Sequence, residues 1–130
     1  MLKYRENYKP PAFLVASAFL DINIHDDHTI VTTRLAIKRN PNAPISSLLH
    51  LDGRSLQLKS VSVDGVQLKD DMFQLDDNGI QIRGLTGLHT VETIAQCHPE
   101  NNTALEGLYL SGNMYCTQCE PEGFRRIGYF

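Results

Sequence analysis

From Leu14 to Ile24 every even position is apolar: Leu14, Ala16, Ala18, Leu20, Ile22 and Ile24, with Ser17, Asp21 and Asn23 between them. A period of two sends alternate side chains to opposite faces of an extended chain, so the spacing predicts a long strand with one buried face. His25-Asp26-Asp27-His28 is a turn. A second strand follows, with Val31, Thr33, Leu35 and Ile37 on one face and Thr32, Arg34 and Lys38 on the other, which completes a hairpin. Asp64-Gly65, between Val61-Ser62-Val63 and Val66-Gln67-Leu68, is a tight-turn signal. Asp77-Asn78-Gly79 repeats it between Phe73-Gln74-Leu75 and Ile80-Gln81-Ile82. Leu48 to Leu51 is a short apolar run closed by Asp52-Gly53, and His89 to Cys97 is rich in β-branched residues. The apolar parity changes between Leu56/Leu58 and Val61/Val63, which places a bulge near Lys59 or Ser60. No stretch before residue 100 has a helical period. Seven or eight short strands joined by Gly, Asn and Asp turns predict an all-β sandwich or curved, partly open sheets.

A chain of 130 residues is one domain's worth, and residues 1–130 contain no linker that would divide it. A net charge of −3 and a pI near 5.9 argue against nucleic acid or an anionic membrane surface as the main partner. No apolar run approaches the ~18 residues of a membrane span. No apolar segment follows the first charges, and three cysteines cannot all pair, so a reducing compartment, the cytoplasm, is expected. Residues 101–113 follow neither period and read as a long ordered loop near the C-terminus, where function tends to sit on a β scaffold. The aromatic run Ile127-Gly128-Tyr129-Phe130 reads as part of a further strand.

Cys116-Thr117-Gln118-Cys119 is the most conspicuous motif. It reads as a redox dithiol, as half of a zinc site, or as two structural thiols. No helix follows it to lower a thiol pKa, and an extended chain would point the two sulfurs to opposite faces. His25 and His28 read as a solvated turn in preference to a weak metal site. Asn101-Asn102-Thr103 is a formal glycosylation sequon, idle without export. Arg125 and Arg126 read as one surface arginine on each face, with anion binding as the alternative. No phosphate loop, nucleophile elbow or His-Glu-x-x-His helix is present, so no catalytic residue is assigned within this chain. Gln118 and Glu120, at i and i+2, share a face of an extended segment. Either they are polar residues on an edge strand, or they present an amide and a carboxylate to an ammonium group.

The run Asn102-Thr103-Ala104-Leu105-Glu106-Gly107-Leu108-Tyr109, then Ser111-Gly112, Cys116-Thr117-Gln118-Cys119-Glu120 and Glu122-Gly123-Phe124-Arg125, closely resembles the N-terminal domain of the bacterial aminopeptidase N family. These are zinc metallo-aminopeptidases of the gluzincin class. Lys3-Tyr4-Arg5, Tyr8 and Pro11 resemble that family's opening residues. The resemblance implies a saddle-like all-β domain that belongs to a longer enzyme. The family's Gly-Ala-Met-Glu-Asn and His-Glu-x-x-His motifs are absent here. It further implies that Glu120 binds the substrate's α-ammonium and Gln118 lines the pocket for the first side chain. Zinc would sit in the full-length enzyme, with none bound by this chain. The partners would be peptide N-termini and the catalytic domain. Two alternatives stand beside this one: a stand-alone β-sandwich binding or adaptor module, and a small zinc module built on Cys116 and Cys119.

Overall fold

The computed structural model describes residues 2–46 and 48–130. Ten strands follow one another: β1 (Phe13–Ile24), β2 (Thr29–Arg39), β3 (Leu49–Asp52), β4 (Gln57–Val63), β5 (Val66–Gln67), β6 (Phe73–Asp76), β7 (Gly79–Ile82), β8 (His89–Cys97), β9 (Gly107–Ser111) and β10 (Met114–Gln118). Short 3-10 turns occupy Arg5–Asn7, Pro99–Asn101 and Gly123–Arg126. A five-stranded sheet runs β1-β2-β8-β4-β5, a three-stranded sheet β3-β7-β6, and β9 and β10 form a separate hairpin, with every pairing antiparallel. The all-β class is as the alternation predicts.

The two larger sheets bury their facing sides in one core. Leu35, Ile37, Val61, Val91 and Ala95 of the five-stranded sheet meet Leu49, Leu51, Ile80 and Ile82 of the other, with Phe13, Leu85 and Tyr129 closing the ends. Ile80 is wholly enclosed, a burial worth roughly 1.5–3 kcal/mol. A smaller core of Val31, Leu108 and Ile127, with Cys119 and Phe124 against it, fixes the β9–β10 hairpin to the end of β2.

Local chemistry sets the turns. Asp64 and Gly65 both take positive φ, 52° and 82°, the geometry a two-residue hairpin needs. Asp76 Oδ1 accepts the N–H of Asn78 at 2.7 Å and of Gly79 at 3.1 Å, which closes the β6–β7 turn. The register slips between Leu58 and Ser60 at the predicted bulge.

Four expectations are corrected. The described residues form ten strands, because the sequence count of seven or eight did not include the terminal hairpin of β9 and β10. Residues 107–111 are a strand of the terminal hairpin, not part of a long loop; paired Gly, Leu and Tyr residues there lack alternation. The even face of β1 is exposed, with Leu20, Ile22 and Ile24 about 40% accessible. The register shifts between Val15 and Ser17, and before the shift Phe13 is buried while Val15 stays exposed. Beyond the shift Leu20 and Ile22 stand beside Thr33 and Val31, but of the β1 residues only Phe13 belongs to the core formed with the three-stranded sheet. Finally, residues 127–130 are no strand. Phe130 and Asp52 nevertheless exchange backbone hydrogen bonds of 2.8 and 3.1 Å along β3. Gly53 leaves the room that the buried Tyr129 ring fills.

Candidate functional site

The site grows from the end of β10. Gln118 is its last residue and pairs with Gly107, the first of β9. The chain then leaves the hairpin through Cys119 and Glu120, and the Glu120–Pro121 peptide is cis. Cys119 turns into the small core, and its carbonyl accepts the Gly123 N–H at 2.8 Å. The Gln118 Oε1 accepts the Glu120 N–H at 3.3 Å. Gln118 and Glu120 are therefore brought together as expected, but through this side-chain-to-backbone tether and not by strand alternation.

The electrostatics separate two neighbouring glutamates. Glu122 pairs with Lys3 and with Arg125, the latter at 3.1 Å, and the Lys3 ammonium holds its carboxyl below the usual range. The Glu120 carboxylate is exposed and has no hydrogen bond or ion pair among the described residues. Its charge is open to a cationic ligand. A cleft of about 210 Å³ opens beside the segment that carries Glu120, lined by its neighbours Cys119 and Pro121 and by Asp52, Glu122, Phe124, Arg125 and Phe130. Phe124 and Phe130 meet edge to face at 5.7 Å. An exposed carboxylate next to an aromatic-walled cleft is suited to an ammonium group carrying a side chain.

The other sequence candidates have the following surroundings. Cys116 and Cys119 have different surroundings, one against the Met114 carbonyl at 3.8 Å and one against the small core, and all three thiols are free. Among the described residues no group of three or more His, Cys, Asp or Glu converges as a metal ligand set. His25 and His28 stack with ring centroids 4.5 Å apart, and His28 pairs with Asp27. The Asn102 amide nitrogen donates to the carbonyls of Glu106 and Leu108, so the sequon's nitrogen is a structural clamp. Arg125 and Arg126 lie on a 3-10 turn, which removes the predicted alternation; they pair with Glu122 and Glu106.

Sequence reasoning missed the groups beneath the site: Asn102, Glu106, Gly107, Gly123 and Arg126. Arg126 Nε donates to Glu106 at 3.2 Å, and its Nη1 to Ser55 at 3.2 Å. Gly107 stands at φ 75°, a conformation that only the folded chain reveals.

Against known proteins, the chain is 38% identical to aminopeptidase N of Haemophilus influenzae over 98% of its length and 35% identical to that of Escherichia coli over 98%. The chain is homologous to part of aminopeptidase N. It spans 14% of the length of these curated relatives. No family model matches it. Aminopeptidase A of Legionella pneumophila, solved in complex with aspartic acid, superposes with a TM-score of 0.89 at 27% identity, over 98% of this chain and 15% of that one. An M1 zinc metallopeptidase of Deinococcus radiodurans shares the fold at TM-score 0.70 and 14% identity, over 90% of this chain and 28% of that one. The resemblance read from residues 102–125 thus extends along nearly the whole chain.

Proposed function

We propose that these 130 residues are the substrate-anchoring N-terminal domain of a zinc-dependent aminopeptidase that removes N-terminal residues from peptides. The observation that carries this is the uncompensated Glu120 carboxylate, on a residue whose backbone N–H is held by Gln118 near an aromatic cleft, while Glu122 two residues on is paired with Lys3 and Arg125. The relatives' names supply the reaction class.

Glu120 takes the free α-ammonium in a charge-assisted hydrogen bond, and Gln118 lines the pocket for the first side chain. A carboxylate at a fixed place admits a chain end and rejects an internal peptide bond, which has no ammonium to offer. That restricts removal to one residue at a time. Zinc is supplied by the rest of the full-length enzyme, where it furnishes Lewis acidity and an activated water. The same remainder of the polypeptide is the domain's partner. The cytoplasm is the proposed setting, with which three free thiols agree. The shared core of the two larger sheets supports treating residues 1–130 as one domain.

The test is Glu120→Ala in the full-length enzyme. We expect kcat/KM on aminoacyl substrates to fall by roughly two orders of magnitude or more, as loss of a charged binding contact does. Unchanged kinetics would remove the assignment.

A further inference from the structure

Three backbones meet under Glu120. Gln118 pairs with Gly107 across the hairpin, and Gly123 of the 3-10 turn lies against both. A Cβ on Gly123 would fall inside the van der Waals shell of the Gln118 carbonyl oxygen and 3.2 Å from the Gly107 nitrogen. A Cβ on Gly107 would come within 2.7 Å of the Arg126 Cβ and 3.2 Å of the Gly123 carbonyl oxygen. The Gly123 N–H meanwhile holds the Cys119 carbonyl, one residue before Glu120. On the outer side, the Glu106–Arg126 pair and the Asn102 clamp fix the start of β9.

We infer that Gly123 and Gly107 are positioning residues for Glu120: their missing side chains let the 3-10 turn close on Gln118 and set where the carboxylate stands. This rests on the reading of Glu120 as the ammonium anchor. At Gly123 the close approach cannot absorb a methyl group without moving the Gln118 to Glu120 segment, because the clashing atoms are backbone; at Gly107 the nearest atom is the Arg126 Cβ, which no rotamer change displaces. A shift of about 1 Å in a substrate-positioning group can cost on the order of a hundredfold in rate. Arg126 is then a support for the same joint, its Cβ covering Gly107 and its guanidinium paired with Glu106.

The experiment is a double-mutant cycle on kcat/KM in the full-length enzyme with Gly123→Ala, Glu120→Gln and both together. Gly123→Ala alone is expected to lose about ten- to a hundredfold. On the Glu120→Gln background it should add less than about a further twofold, since two groups acting through one contact are strongly non-additive. Val61→Ala, a core substitution in β4 far in sequence from the joint, lowers thermal stability and should leave kcat/KM of the folded enzyme unchanged. Multiplicative losses in the cycle, or a Gly123→Ala enzyme with normal kinetics beside an impaired Glu120→Gln enzyme, would overturn the positioning role. A Glu120→Gln enzyme of normal activity would instead overturn the anchor reading itself. Should Gly123→Ala fail to fold, Arg126→Ala replaces it in the same cycle, adding no atoms at the joint. A loss of a few-fold that vanishes on the Glu120→Gln background supports the inference, and an equal loss on both backgrounds contradicts it.

Discussion

Thr93 sits on β8 in the middle of the five-stranded sheet, opposite Thr33 on β2 and Val61 on β4, and is 1% exposed. Its hydroxyl has no hydrogen-bond partner among the described residues. Replacing it by valine keeps the branched shape that suits a strand and exchanges the hydroxyl for a methyl group. Burying an unpaired hydroxyl costs about 1–3 kcal/mol in proteins, and a buried methyl adds roughly 0.8 kcal/mol of apolar transfer. Crowding from the slightly larger methyl opposes this by about 1 kcal/mol or more. The balance is a stabilisation of about 1–2 kcal/mol, or a rise in Tm of roughly 3–8 °C for a domain of this size. Urea unfolding followed by circular dichroism measures it, with the midpoint expected to rise at constant slope. A lower midpoint would mean that the hydroxyl is satisfied in solution, and the reasoning from its isolation would fail. Thr33 is a poorer choice, because a Cβ on Gly128 would lie only 2.7 Å from its hydroxyl, a sign of how closely that strand is already packed.

Three further outcomes are expected. Ile80→Ala, at the fully enclosed centre of the core, should lose about 2–5 kcal/mol in the same urea assay. Asp64 is held below the ordinary aspartate range by the His89 hydrogen bond and the Thr90 N–H; a lowered carboxylate contributes stability above its unfolded value of about pH 4 and loses it as pH falls through the lower folded one. Asp64→Asn should therefore flatten the acid side of a Tm-against-pH curve. Burial pushes the Cys97 thiol up to about 11 and covers it, so iodoacetamide at pH 8 should label the part-exposed Cys116 and Cys119 well before Cys97, read by peptide mass spectrometry.

What the sequence made legible was local. Asp64-Gly65 announced its hairpin because only a few residues tolerate two successive positive φ values, and the parity change at Lys59 marked a real slip in register. The burial of β1 was not legible. Alternation says which side chains share a face, but whether a second layer covers that face depends on strands far away in sequence. β9 was hidden because Gly107-Leu108-Tyr109-Leu110-Ser111 places apolar residues side by side, one turned to the small core and others to partial exposure. At the site, Gln118 and Glu120 were readable as polar neighbours on an edge. The joint beneath them was not, since Gly107 and Gly123 act by the absence of side chains and only the folded chain shows what comes close. Nor does any local pattern show that Lys3, at the other end of the sequence, pairs with Glu122.

The account stands on Glu120 receiving an α-ammonium. Inhibition of the full-length enzyme by a free amino acid, compared with inhibition by its des-amino analogue, measures that contact alone. The wild-type enzyme should prefer the amino acid by at least about tenfold, and Glu120→Gln should reduce that preference to near unity, in keeping with the worth of a charge-assisted hydrogen bond. An undiminished preference in Glu120→Gln would contradict the account.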